Sequence, residues 1–130
     1  MSIAYKRPME LWRYSGILLI ATGMIHVAVG IALGGEFLWA IVKDGLLNAV
    51  GDYTDGKFAS WWFAMAGIFV IMLGHVLHHY IKKEQRPAPR FVGYYLICMS
   101  AIGCIVEPAS GFWLFIPQAL IIIFAERSGN

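Results

Sequence analysis

Three of the four histidines in this 130-residue sequence fall within five positions: His75, His78 and His79, in the stretch MLGHVLHHYIKK from Met72 to Lys83. Spacings of three and four put imidazoles on one side of a helix, where their ring nitrogens can ligate a transition metal. The fourth, His26, stands alone inside the apolar stretch GMIHVAVG, and Glu107 stands alone just before Pro108. An ionisable side chain set into an apolar helix is costly to keep there, which makes each of these a functional-site candidate.

The histidine cluster has three readings. Its His-x-x-His-His spacing resembles a box of membrane di-iron desaturases and hydroxylases, but those sites need several such boxes and this chain has one. Haem ligation needs two axial ligands at similar depth. With a rise of about 1.5 Å per residue, His26 falls near the middle of its apolar run, His75 roughly 8 Å and His78 roughly 12 Å towards the basic end, so His26 pairs poorly with either. Haem held by His75 or His78 with a ligand from another subunit stays open. The third reading is an interfacial belt, in which His78, His79 and Tyr80, followed by Lys82 and Lys83, mark where a helix meets water. His75, one turn deeper, fits the belt least well. No cofactor is expected from these residues; haem or a transition metal is the alternative.

The elements that must position these residues follow from composition. The chain is 59% hydrophobic and 14% charged, against roughly 45–50% and 25% for a soluble domain, which indicates a membrane protein. A crossing needs roughly 20 apolar residues per helix. Four runs qualify, at about 15–35, 59–80, 91–106 and 111–125, the last carrying Pro117 as an expected kink. The first is longer than the roughly 7–15 residues of a signal-peptide core. Lys6, Arg7 and Arg13 precede the first run, and Lys82, Lys83, Arg86 and Arg90 lie between the second and third. The segment between the first two carries Glu36, Asp44, Asp52 and Asp55 against Lys43 and Lys57. The asymmetry places both termini inside and gives no case for nucleic-acid binding. Residues 36–50 carry Glu36, Lys43, Asp44 and Asn48 at helical spacing among apolar residues, which predicts an amphipathic helix in the outer interface. The expected fold is all-α: a single membrane domain over 1–130, a polytopic four-helix bundle with both termini inside and that interfacial helix between its first two spans.

Small residues mark the packing faces. Gly16, Gly23 and Gly30 recur every seven residues, as do Ser60, Gly67 and Gly74, and Gly93 with Ser100. A seven-residue repeat keeps one stripe against a neighbouring helix, and small residues let backbones approach in lipid. His26 and Glu107 share these stripes and should point inwards. With Asp44 and Asn48 from the interfacial segment and Trp62 and Trp113 as walls, they outline an outer pocket for a small lipophilic molecule. Cys98 and Cys104, six apart on one helix, lie about 9 Å apart along its axis, beyond the roughly 7 Å limit for a disulfide. The sequence has no Walker loop, no Gly-x-Ser-x-Gly and no His-Glu-x-x-His, so hydrolase and nucleotide chemistry have no support.

The segments GMIHVAVG, WAIVKDGLLNAVGD, WWFAMAGIFVIMLG and PASGFWLFIPQAL together resemble a bacterial family of small four-helix integral membrane proteins of unknown function, over about Gly16 to Ile123. The resemblance implies a bacterial cytoplasmic membrane and directs attention to His26, the stretch from Asp44 to Asn48 and the hairpin from Pro108 to Trp113. It does not include the triple histidine. Three functions follow: a protein that binds, or acts on, a small lipophilic ligand around His26; a haem- or metal-binding redox subunit using His75 and His78; and a homo-oligomer or assembly subunit of a larger membrane complex built on the glycine stripes. Whether the chain is an enzyme is left open.

Overall fold

The computed structural model describes residues 10–126, and they are all-helical, with four α-helices and no strand. α1 spans Ser15–Lys43, α2 Gly56–Glu84, α3 Arg90–Val106 and α4 Phe115–Ile123; one-turn 3-10 segments at Leu11–Tyr14 and Gly111–Leu114 precede α1 and α4. The chain forms two compact units. One comprises Gly16–His79, and the other joins Ser15 and the described residues before it to those from Tyr80 onwards.

In the first unit α1 and α2 run antiparallel in a fixed register. Gly16 meets His78, Ile20 meets Gly74, Val27 meets Gly67, Gly30 meets Phe63 and Gly34 meets Ser60, numbers rising on one helix as they fall on the other. The contact is between backbones: a Cβ added to Gly23 would lie 2.8 Å from the Ile71 nitrogen and 2.9 Å from the Gly67 oxygen. The two seven-residue stripes therefore face one another. Thr22, buried within α1, satisfies its hydroxyl by donating to the Leu18 carbonyl at 2.9 Å, as a polar side chain in an apolar helix must.

The expected interfacial helix over 36–50 is not a separate element. α1 continues without a break to Lys43: the helical spacing of Glu36 to Lys43 extends the same helix, and Gly34 within it is packed against Ser60. A Schellman motif then stops it. Gly45 lies at φ +87°, its N–H donates to the Val42 carbonyl at 3.2 Å, and the Leu46 N–H reaches the Ile41 carbonyl at 3.2 Å. Leu46 and Asn48 also take positive φ, 69° and 53°, so residues 44–50 form turns. α2 starts three residues earlier than expected, with Asp55 accepting from the Lys57 N–H at 3.4 Å in the manner of an N-cap.

The second unit is built on α3 and α4. Gly93 takes the side chain of Ile123, and Gly103 takes the ring of Phe112. Ser100 and Gln118 are buried; Ser100 donates to the Leu96 carbonyl at 2.6 Å, and Gln118 donates to the Leu114 carbonyl at 3.0 Å. The fourth helix differs from the expected kinked helix over 111–125. A 3-10 turn precedes an α-helix that begins at Phe115, which puts Pro117 in the first turn, where a missing N–H breaks no hydrogen bond and no kink results.

The 3-10 turn with α1, Leu11–Lys43, and α2, Gly56–Glu84, are long and apolar enough to cross a membrane. Only 28% and 17% of their most apolar stretches are buried within the protein.

Candidate functional site

An open, mostly apolar groove of about 170 Å³ runs between α1 and α2, lined by Gly30, Leu33, Gly34, Ala59, Ser60 and Phe63. Its origin is the stripe register: Gly30 and Gly34 are one turn apart and carry no side chain, and the facing Ala59 and Ser60 are small. Phe63 closes one end. Behind it, the His26 ring stacks on the Phe63 ring with centroids 3.9 Å apart and planes 14° from parallel.

His26 Nε2 donates to the Phe63 backbone carbonyl at 3.1 Å, which places the proton on Nε2 and leaves Nδ1 as an acceptor. The ring fits because the neighbouring position is glycine: a Cβ on Gly67 would come 3.1 Å from His26 Cδ2. His26 thus bridges the helices and buttresses the groove wall. A neutral imidazole with a free acceptor nitrogen can take a hydrogen bond from a hydroxyl or amide.

The remaining expected site residues divide between the two units. His26, Asp44, Asn48 and Trp62 belong to the first, Glu107 and Trp113 to the second. Asp44 Oδ2 pairs with Lys57 Nζ at 2.6 Å, joining the end of α1 to the first turn of α2. Asn48 is exposed in the turn, and Trp62 is exposed on α2 with its ring 6.2 Å from that of Phe58, edge to face. Glu107 is the exposed C-cap of α3; it leaves helical geometry at φ −135° and ψ 80°, as the residue before a proline tends to. Trp113 Nε1 donates to the Pro108 carbonyl at 2.8 Å and so holds the α3–α4 hairpin together. Ser110 caps the 3-10 turn by accepting from the Phe112 N–H at 3.4 Å.

In the histidine cluster, His75 and His79 are exposed and His78 is packed at Gly16. Among the described residues no three His, Cys, Asp or Glu side chains are grouped so as to hold a metal. Leu33, Gly34, Ala59 and Phe63 are the groove residues that the sequence did not mark, whereas Gly30 and Ser60 belong to its small-residue stripes. The signal for them was available: pairing the two seven-residue stripes in antiparallel register brings Gly34 opposite Ser60 and Gly30 opposite Phe63.

The fold and this groove define an all-helical protein with a hairpin of two long apolar helices. The chain belongs to the family of unknown function DUF6463, whose sequence model matches residues 10–129. No curated protein and no solved structure matches it.

Proposed function

We propose that this is an integral protein of a bacterial cytoplasmic membrane that holds a small lipophilic molecule in the groove between α1 and α2. The observation that carries the membrane reading is where the apolar surface lies. In a soluble core helix the apolar stretch is covered by protein, whereas most of it in α1 and α2 is uncovered. Met24, Ile31, Leu33, Ile68, Met72 and Val76 are among its exposed large side chains. Water would penalise such a surface at about 25 cal/mol per Å², and hydrocarbon does not. α3 and the 3-10 turn with α4, Arg90–Val106 and Gly111–Ile123, are shorter than a straight crossing; we read them as a second, shorter hairpin in the same membrane, with the basic turn between α2 and α3 inside.

The groove supports the ligand reading because it is apolar, small, and offers few polar groups: the Ser60 hydroxyl within it and His26 behind Phe63. Native mass spectrometry of the protein released from mild detergent tests it. A lipophilic mass retained by the native chain and lost from Ala59→Trp, which fills the groove from an exposed position, is the expected result. An empty native chain, or a mass retained equally by both, contradicts it.

A further inference from the structure

Basic residues from two separated segments converge at one end of the second unit. Arg13, in the turn before α1, donates from Nη1 to Gln85 Oε1 at 3.2 Å. Gln85 Nε2 donates onward to the Lys82 carbonyl at 2.7 Å. Gln85 also ends α2, at φ +52° with its N–H donating to the Ile81 carbonyl at 2.9 Å. The turn that follows is anchored: Pro87 and Ala88 are buried, so Arg86 and Arg90 leave it from fixed positions.

Five exposed cations stand here, Arg13, Lys82, Lys83, Arg86 and Arg90. Three carboxylates share the end. Glu10 pairs with Arg13, Glu84 pairs with Arg86 at 3.1 Å, and the exposed Glu126 follows Ile123, which packs on Gly93 near the start of α3. Among the described residues no carboxylate pairs with Lys82, Lys83 or Arg90. The sequence adds Lys6, Arg7 and Arg127 outside the described residues. Aromatic rings accompany the cations: the Arg13 guanidinium lies 4.7 Å from the Trp12 ring centroid, and Tyr14, Phe91, Tyr94 and Tyr95 are exposed.

We propose that this end is a binding surface for the headgroups of anionic phospholipids, with Lys82, Lys83 and Arg90 taking the phosphates. Cations without carboxylate partners, set beside exposed aromatics where apolar helices end, match the layering of a leaflet: hydrocarbon, aromatic-rich interface, then anionic phosphate. Arg13 and Gln85 act as positioning residues that hold the first segment against the turn. The inference rests on the membrane reading. Each cation near an anionic surface strengthens binding about fivefold, so removing three weakens it roughly a hundredfold.

The test begins with an alkaline carbonate wash of membranes containing the protein, which checks the membrane reading alone. Protein retained by the wash is purified in mild detergent and titrated by native mass spectrometry with phosphatidylglycerol, phosphatidylcholine or inorganic phosphate. The native chain should bind phosphatidylglycerol at least tenfold more tightly than phosphatidylcholine. The variant Lys82→Gln/Lys83→Gln/Arg90→Gln should lose that preference at unchanged helical content by circular dichroism, while Lys43→Gln keeps it. Equal binding of the two lipids by the native chain, or a triple variant that keeps the preference, overturns the inference. Displacement of phosphatidylglycerol by millimolar phosphate would also overturn it, assigning the cations to a free anion. If the triple variant fails to fold, the native chain is titrated in high salt instead: loss of its preference there supports the inference, and persistence contradicts it.

Discussion

In the α1–α2 unit glycines recur every seven residues on both helices and at Gly16, Gly23, Gly67 and Gly74 meet backbone atoms of the facing helix, whereas in the α3–α4 unit each glycine receives chiefly a side chain, Ile123 at Gly93 and Phe112 at Gly103. The first arrangement is a continuous seam. The second is a pair of notches. A seam cannot yield at one point without moving two helices, because the atoms it would displace are backbone. A notch can yield locally, because the atom displaced belongs to a side chain with rotamers of its own. The seam also explains the groove, which opens where the stripe passes from Gly30 to Gly34, opposite the small Ala59 and Ser60 and beside Phe63.

Substitutions at glycine test this contrast. The largest loss is expected for Gly23→Leu, whose Cβ alone would lie 2.8 Å from the Ile71 nitrogen; separation of α1 from α2 should place it at or above the top of the roughly 1–3 kcal/mol range for overpacking. Stability against sodium dodecyl sulfate, followed by circular dichroism, measures it, and a near-native midpoint would break the idea of a seam. Gly103→Ala should cost less, about 2 kcal/mol, since its Cβ would overlap Phe112 Cγ at the root of that side chain and the whole ring must leave its place, though no helix is displaced. Near-ultraviolet dichroism would show the aromatic shift. Gly35→Ala is the smallest change and of opposite sign: its Cβ would find only Ile31, at 3.9 Å, so helix propensity should stabilise the protein by about 0.5–1 kcal/mol. Destabilisation there would mean that Gly35 lies against a partner other than Ile31.

Part of this is legible in the sequence. The apolar runs locate all four helices, and the spacing of Gly16, Gly23 and Gly30 and of Ser60, Gly67 and Gly74 marks a packing stripe on each of the first two, but Gly93 and Ser100 give α3 a stripe of the same kind, so the spacing alone does not say which stripes meet. The end of α1 is less so. Helical periodicity from Glu36 to Asn48 says that the segment is helical for some distance but not whether it continues the preceding helix. The stop signal at Asp44-Gly45 is present in the residues, since glycine after a last turn containing Lys43 favours a left-handed C-cap. The start of α4 was obscured because Pro117 fits either the middle of a kinked helix or its first turn, and only the Ser110 cap and the 3-10 turn after it select the second.

Of the candidate site, His26 was marked by its isolation in an apolar helix, but its stacking on Phe63 depends on which residue the opposite helix presents. Asp44 was marked by charge, whereas its partner Lys57 lies beyond the loop and is brought close only by the register of the hairpin.

If α1 and α2 cross a membrane as a glycine-seamed hairpin, the turns at the two ends of α2 lie on opposite sides of it. In a Cys98→Ser/Cys104→Ser background, single substitutions Asp52→Cys and Gln85→Cys place thiols in the turns at opposite ends of α2, to be labelled with a membrane-impermeant maleimide on intact bacterial cells expressing the chain and again after lysis. Labelling of Asp52→Cys on intact cells and of Gln85→Cys only after lysis is the predicted result. Labelling of both from the same side, or recovery of the labelled chain in the soluble fraction, would contradict it.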